Sequence, residues 1–132
     1  MAWDIKGTDL GVVAAEDLSA DQYSFVVQDS SSGLVRRPDS GTERALGVLQ
    51  NAPLAGEAAV VRIAGVTKVV ANAALAVGAL VTLEYVSATD AGKAAATTTA
   101  RAKVRGVVVE ASGAEDDLAV IRLAEFTYPE TA

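Results

Sequence analysis

The chain contains neither cysteine nor histidine. Without cysteine there are no disulfides, no thiolate metal sites and no thiol nucleophile. Without histidine the commonest general base and the commonest transition-metal ligand are missing as well. Serine is plentiful, but no imidazole is there to take its proton. A Ser–Lys pairing would have to use Lys6, Lys68, Lys93 or Lys103, and none of these stands in a catalytic motif. Aromatic residues are also scarce, 5% of the chain against 51% apolar residues overall, so a core must be built from Val, Leu and Ala. Such a core is thin per residue, and association with further copies would add to it.

Positive charge is in short supply. Eleven Lys and Arg stand against 17 Asp and Glu, a formal charge of -6. This balance opposes nucleic-acid binding, whose affinity comes mainly from cations neutralising phosphates. Long apolar runs are lacking too. The weakly polar stretch from Val69 to Leu83 is interrupted by Asn72 and Gly78, short of the roughly 20 residues that span a bilayer. Met1 to Lys6 has no signal-peptide core. At 132 residues the expectation is one soluble domain that binds neither nucleic acid nor membrane and carries no export address.

What is present reads as three zones. Residues 1–21 mix Gly, Asp, Glu and Lys with short apolar pairs and sustain no period, which reads as an extended amino-terminal arm. Residues 22–124 carry recurrent β-branched clusters: Tyr23 to Gln28, Leu46 to Gln50, Ala58 to Ala64, Val66 to Val70, Leu80 to Val86, Val104 to Glu110 and Leu118 to Leu123. About seven short strands punctuated by turns predict an all-β, compact barrel-like or sandwich module of antiparallel strands. Ser30 to Gly33, Asp39 to Gly41, Asp90 to Gly92 and Ser112-Gly113 each place a glycine where a turn calls for positive φ. Arg62 and Arg122 sit between apolar neighbours, as in strands with one wet face, whereas Val107-Val108-Val109 predicts cover on both faces. One short helix is expected over Ala71 to Val77, capped by Gly78. Ala94 to Ala102 reads as a weak edge strand or loop. Residues 125–132 read as a tail continuing the last strand, with Phe126 and Tyr128 on one face.

The remaining chemical signals are weak. Glu115-Asp116-Asp117 is the densest acidic cluster and reads as a solvated hairpin tip; calcium would be its ligand, but the Asp/Asn spacing of a calcium loop is absent. Arg36-Arg37 is the only adjacent basic pair, and Arg101, Lys103 and Arg105 would share a face if extended. A nucleic-acid patch needs more charge and interleaved aromatics, so solvated strand faces or inter-subunit salt bridges are the better reading. No catalytic residue, cofactor site or metal site is expected, and the chain does not read as an enzyme.

The segment ALGVLQNAPLAGE, from Ala45 to Glu57, goes beyond generic strand propensity. It is followed in order by VVRIAGVTKVVA (Val60 to Ala71), ALAVGALVT (Ala74 to Thr82), DAGKA, RGVVVEAS and AVIRL. This series, over about residues 18 to 124, resembles the capsid decoration (cement) proteins of tailed bacteriophages, of the small β-barrel or β-tulip type. The resemblance implies a barrel-like module with one short helix, assembled as a homotrimer. Such trimers sit on the outer capsid surface at three-fold and quasi-three-fold positions, hold adjacent capsomers of the major capsid protein against internal genome pressure, and are made in the host cytoplasm. Met1 to Asp17 and Glu125 to Ala132 match no motif of the family.

A trimer presents three equivalent contact sets, so weak arms combine through effective concentration, with a gain of roughly 10² to 10⁴ over one arm. The apolar arm residues Trp3, Ile5 and Leu10, together with Asp4, Arg36 and Arg37, are the candidate capsid or subunit contacts. The alternative is a β-barrel receptor- or glycan-binding module of a virion or tail. That function needs an aromatic platform, and Trp3, Tyr23, Tyr85 and Tyr128 are scattered along the sequence.

Overall fold

A computed structural model describes residues 6–129 of the chain. Among these residues there are nine strands and no helix: β1 (Gly7–Val13), β2 (Phe25–Gln28), β3 (Val35–Arg36), β4 (Gly47–Leu49), β5 (Ala58–Val70), β6 (Leu80–Ser87), β7 (Asp90–Ala96), β8 (Lys103–Glu110) and β9 (Leu118–Thr127). They form one open antiparallel sheet, in the order β3-β2-β4-β5-β9-β8-β6-β7, with β1 paired to β5 off that path. The all-β expectation holds. The strand clusters at Tyr23, Leu46, Leu80, Val104 and Leu118 each become a strand, and Ala58 to Ala64 joins Val66 to Val70 in a single 13-residue strand.

β5 is the spine, and Gly65 divides it. Before Gly65 the strand pairs with β1 (Gly7 opposite Gly65, Val13 opposite Ala58) and with β4 (Val48 opposite Arg62). After it, Val66 to Val70 pair with Arg122 to Leu118 of β9. Val66 N donates to the Lys6 carbonyl on the β1 side, so β4 and then β9 occupy successive stretches of the opposite edge. Gly65 has φ +95°, and a Cβ there would lie 2.6 Å from both the Gly7 Cα and the Lys6 oxygen. Only glycine combines that torsion with so close a backbone approach.

Two apolar cores lie on opposite faces of β2 and β4. Phe25, Val48, Val69, Val81, Leu83, Val108 and Ile121 form the larger. Ala14, Leu18, Val26, Val35, Leu49 and Val61 form the smaller. Adjacent residues, Phe25 with Val26 and Val48 with Leu49, therefore point into different cores, because strand side chains alternate. The sheet coils until β7 lies against β2, where a Cβ on Gly92 would stand 2.6 Å from the Phe25 carbonyl oxygen. Side-chain packing, rather than strand pairing, brings these distant strands together, which gives the module its barrel-like form.

The predicted helix is not formed. Ala71 N donates to Asp117 O and Asn72 N to Ala94 O, while Leu75 bridges Ser112. Seven residues are too few to repay helix nucleation in isolation, and here their backbone groups find cross-strand partners instead. Gly78 does take a positive φ of 87°, in the turn that leads into β6. Gly33 and Gly92 also have positive φ, whereas Gly41 and Gly113 do not. Val108 is buried, but Val107 and Val109 are only half-buried within one chain, so their outer face lacks the cover expected of it. Of the segment read as an arm, Gly7 to Val13 lie along β5 as β1, and Ala14 and Leu18 are buried in the smaller core. At the other end β9 runs through Thr127, continuing the last strand as expected.

Candidate interaction surface

Of the residues singled out as contacts, Trp3, Asp4 and Ile5 lie outside the described residues. Leu10 is 37% exposed on β1, whose outer edge pairs with no described strand; Val13 nearby is 42% exposed. Three residues apart on a strand, they point to opposite faces of the sheet rim.

Arg36 and Arg37 are engaged within the chain. Arg37 Nη1 binds Glu16 Oε1 at 2.9 Å, its Nε binds Asp21 Oδ2 at 2.9 Å and its Nη2 donates to the Asp17 carbonyl at 2.7 Å. Arg36 forks onto Glu43 (2.7 and 3.2 Å) and reaches Asp39 at 3.2 Å. The Arg36 fork holds the Glu43 carboxyl below its ordinary pKa. Burial raises that of Asp21, against the opposing pull of Arg37. These two arginines, the last residue of β3 and the one after it, tie residues 16–21 and the loop at 39–43 to that strand. They act as fasteners of the fold.

The ALGVLQNAPLAGE segment has a similar role. Gly47 packs on the β5 backbone so closely that a Cβ would fall 2.1 Å from the Arg62 carbonyl oxygen. Gln50 Nε2 donates to the buried Thr67 Oγ1 at 2.8 Å, and Asn51 holds both Ala58 O and Val60 N at 3.0 Å. Pro53 O accepts from Leu18 N, Glu57 Oε1 accepts from Leu54 N, and Glu57 O accepts from Ala14 N. The most specific stretch of the sequence thus joins β4, β5 and the amino-terminal segment.

The acidic cluster at 115–117 is closed by Lys93, whose Nζ lies 2.8 Å from Asp116, 3.3 Å from Asp90 and 3.4 Å from Glu115. The Asp116 hydrogen bond leads in raising the Lys93 pKa. A resident ammonium neutralises the carboxylates that calcium would use. Among the described residues no cluster of acidic side chains is arranged to hold a metal.

A concavity among the described residues has no marker in the sequence. It opens in the fork where β9 parts from β5, and its inner part, about 160 Å³, is lined by Phe25, Leu46, Ile63, Leu123 and Arg105. It continues outward past Arg44, Glu125 and Phe126. Ile63 and Phe126 are about 40% exposed. Up to Arg122, β9 pairs with β5; from Leu123 to Thr127 it pairs with β8 alone, leaving a strand edge along the groove. Arg105 sits at an irregularity in the β8–β9 register between Val104 and Gly106. Bulges commonly re-aim a side chain, and this one is only 6% exposed. Its Nη2 donates to Glu43 O at 2.8 Å, its Nη1 lies 3.9 Å from Glu125, and its Nε is buried with no hydrogen-bond partner. Desolvation lowers the Arg105 pKa. Glu125 itself is held at 2.8 Å by the exposed Arg44.

No family model matches the chain, and no curated protein matches it in sequence. In fold it is similar to the head fiber gp8.5 N base of bacteriophage phi29, with a TM-score of 0.66 at 16% identity. The likeness spans 89% of this chain and 93% of that one. The two share an all-β architecture over nearly their whole lengths.

Proposed function

We propose that this is a structural, non-enzymatic protein of a phage virion that docks as a homotrimer on the outer surface of the capsid and stabilises the shell. The observation that carries the reading is the near-complete fold likeness to a base named for a head fiber. The ordered series from Ala45 to Leu123, with its resemblance to capsid decoration proteins, independently points to the same class. The chemistry agrees in kind. The sequence offers neither His nor Cys, and its most specific motif and its adjacent arginines maintain the fold.

In this reading the partner is the major capsid protein, met at three-fold and quasi-three-fold positions, and each subunit contributes one set of modest contacts. Co-sedimentation with capsids that lack the protein tests it. Binding should saturate at a fixed number of copies per capsid, and treated capsids should resist heating better than untreated ones. Binding that never saturates, or no gain in capsid stability, would overturn the corresponding part of the proposal.

A further inference from the structure

We infer that the groove between β5 and β9 receives an apolar, carboxylate-bearing extended segment from a second copy of this chain. The inference rests on the trimeric reading above and deepens it by naming the joint. Three features of the groove converge on such an occupant. Its floor and wall are apolar, from Leu46, Ile63 and Leu123, with Ile63 40% exposed. The free edge of β9 from Leu123 to Thr127 offers backbone groups to an added strand, as in β-augmentation. Arg105 stands at the groove almost wholly buried, with an unpartnered Nε and no carboxylate within hydrogen-bond distance.

A buried cation with spare donors is costly until an anion satisfies it. The occupant should therefore place one carboxylate beside apolar side chains.

The sequence supplies that combination in Met1-Ala2-Trp3-Asp4-Ile5, immediately before Lys6. Five extended residues reach about 17 Å at roughly 3.3 Å each, enough to cross a subunit boundary. Lys6 lies on the β1 edge of β5, and the groove opens on the opposite edge, which β4 and β9 line. In the trimeric reading the segment runs away from its own sheet into a neighbour's groove. Each copy then gives one segment and receives another, a head-to-tail contact that closes into a ring when the rotation is three-fold.

Trp3 is the only tryptophan, so intrinsic fluorescence of the full chain reads this contact alone. In the associated protein its emission should be blue-shifted and shielded from acrylamide, and dilution should abolish both in step with dissociation followed by light scattering. Ile63→Asp, a half-exposed groove position, should red-shift the emission and weaken association by about 30-fold or more, the scale of a hot-spot loss. Trp3→Ala should weaken association similarly while leaving the circular dichroism spectrum unchanged, which guards against a folding defect in the groove variant. A solvent-like emission in an associated protein overturns the inference and leaves the trimer standing. A shielded Trp3 in a monomer overturns it in favour of the chain's own segment. Shielding that develops only when capsids are added overturns it in favour of the capsid as host of that segment.

Discussion

At the level of single residues, the fold depends on a few positions where the backbone leaves no room. Gly65 is the clearest, with φ +95° and the Gly7 Cα only 2.6 Å from where a Cβ would sit. Gly65→Ala combines left-handed strain with a clash against backbone, and should cost roughly 2 to 4 kcal/mol in urea denaturation. Gly11, where an added Cβ meets nothing within 4 Å, should accept alanine with little change. A second residue-scale prediction concerns acid. Arg36 holds the folded-state pKa of Glu43 below its ordinary 4.5. The stability this provides is present above that ordinary value and is lost as pH falls through the lowered folded value. Glu43→Gln should thus lower stability at pH 7 by up to about 1 kcal/mol, given partial exposure, and leave it unchanged near pH 2. Burial raises Asp21, so its contribution has the opposite sign and diminishes as pH rises through its folded pKa. Chemical denaturation of Glu43→Gln and Asp21→Asn across pH 2 to 7 separates the two.

Among the elements, β1 and the segment after it set how much of the amino-terminal region belongs to the domain. Leu18 is fully buried in the smaller core, whereas Leu10 is more than a third exposed. Leu18→Ala should cost roughly 2 to 5 kcal/mol, and Leu10→Ala less than about 1 kcal/mol, as read from urea midpoints at constant slope. Removing residues 1–5 spares β1, while a cut through Val13 strips β5 of the partner that covers Val61. The sequence made the central strands readable because Val-rich clusters and turn glycines mark them directly. β1 escaped notice because GTDLGVV alternates too weakly, and six of its seven residues are exposed, so no buried apolar face betrays a partner. β7 was legible only at its end, where Ala94 to Ala96 fall in the stretch read as a weak edge strand or loop; Asp90 to Gly92, read as a turn, begin the strand because β6 pairs with Asp90 and Ala91. The Ala71 to Val77 helix failed for the same reason: local composition favoured it, and distant partners at Asp117, Ala94 and Ser112 took its backbone groups.

For the whole molecule, composition and strand periodicity predicted an all-β module, and the fold, which is all-β, is similar to a phage head fiber base. The interaction surface was far less legible. Arg36 and Arg37 read from the sequence as candidate capsid or subunit contacts, and within the chain residues between 16 and 43 engage them. The groove arises where β9 leaves β5, and the register irregularity that turns Arg105 inward has no sequence marker, so no local pattern could have announced it. In the proposed reading the protein would act through geometry repeated on a shell, and its contacts should have symmetry as well as affinity. The most direct test is cryo-electron microscopy of capsids lacking the protein, with and without saturating amounts of it. The account predicts added three-lobed density on the outer surface, at three-fold and quasi-three-fold positions. Saturated capsids with no added density, or density confined to other positions, would contradict it.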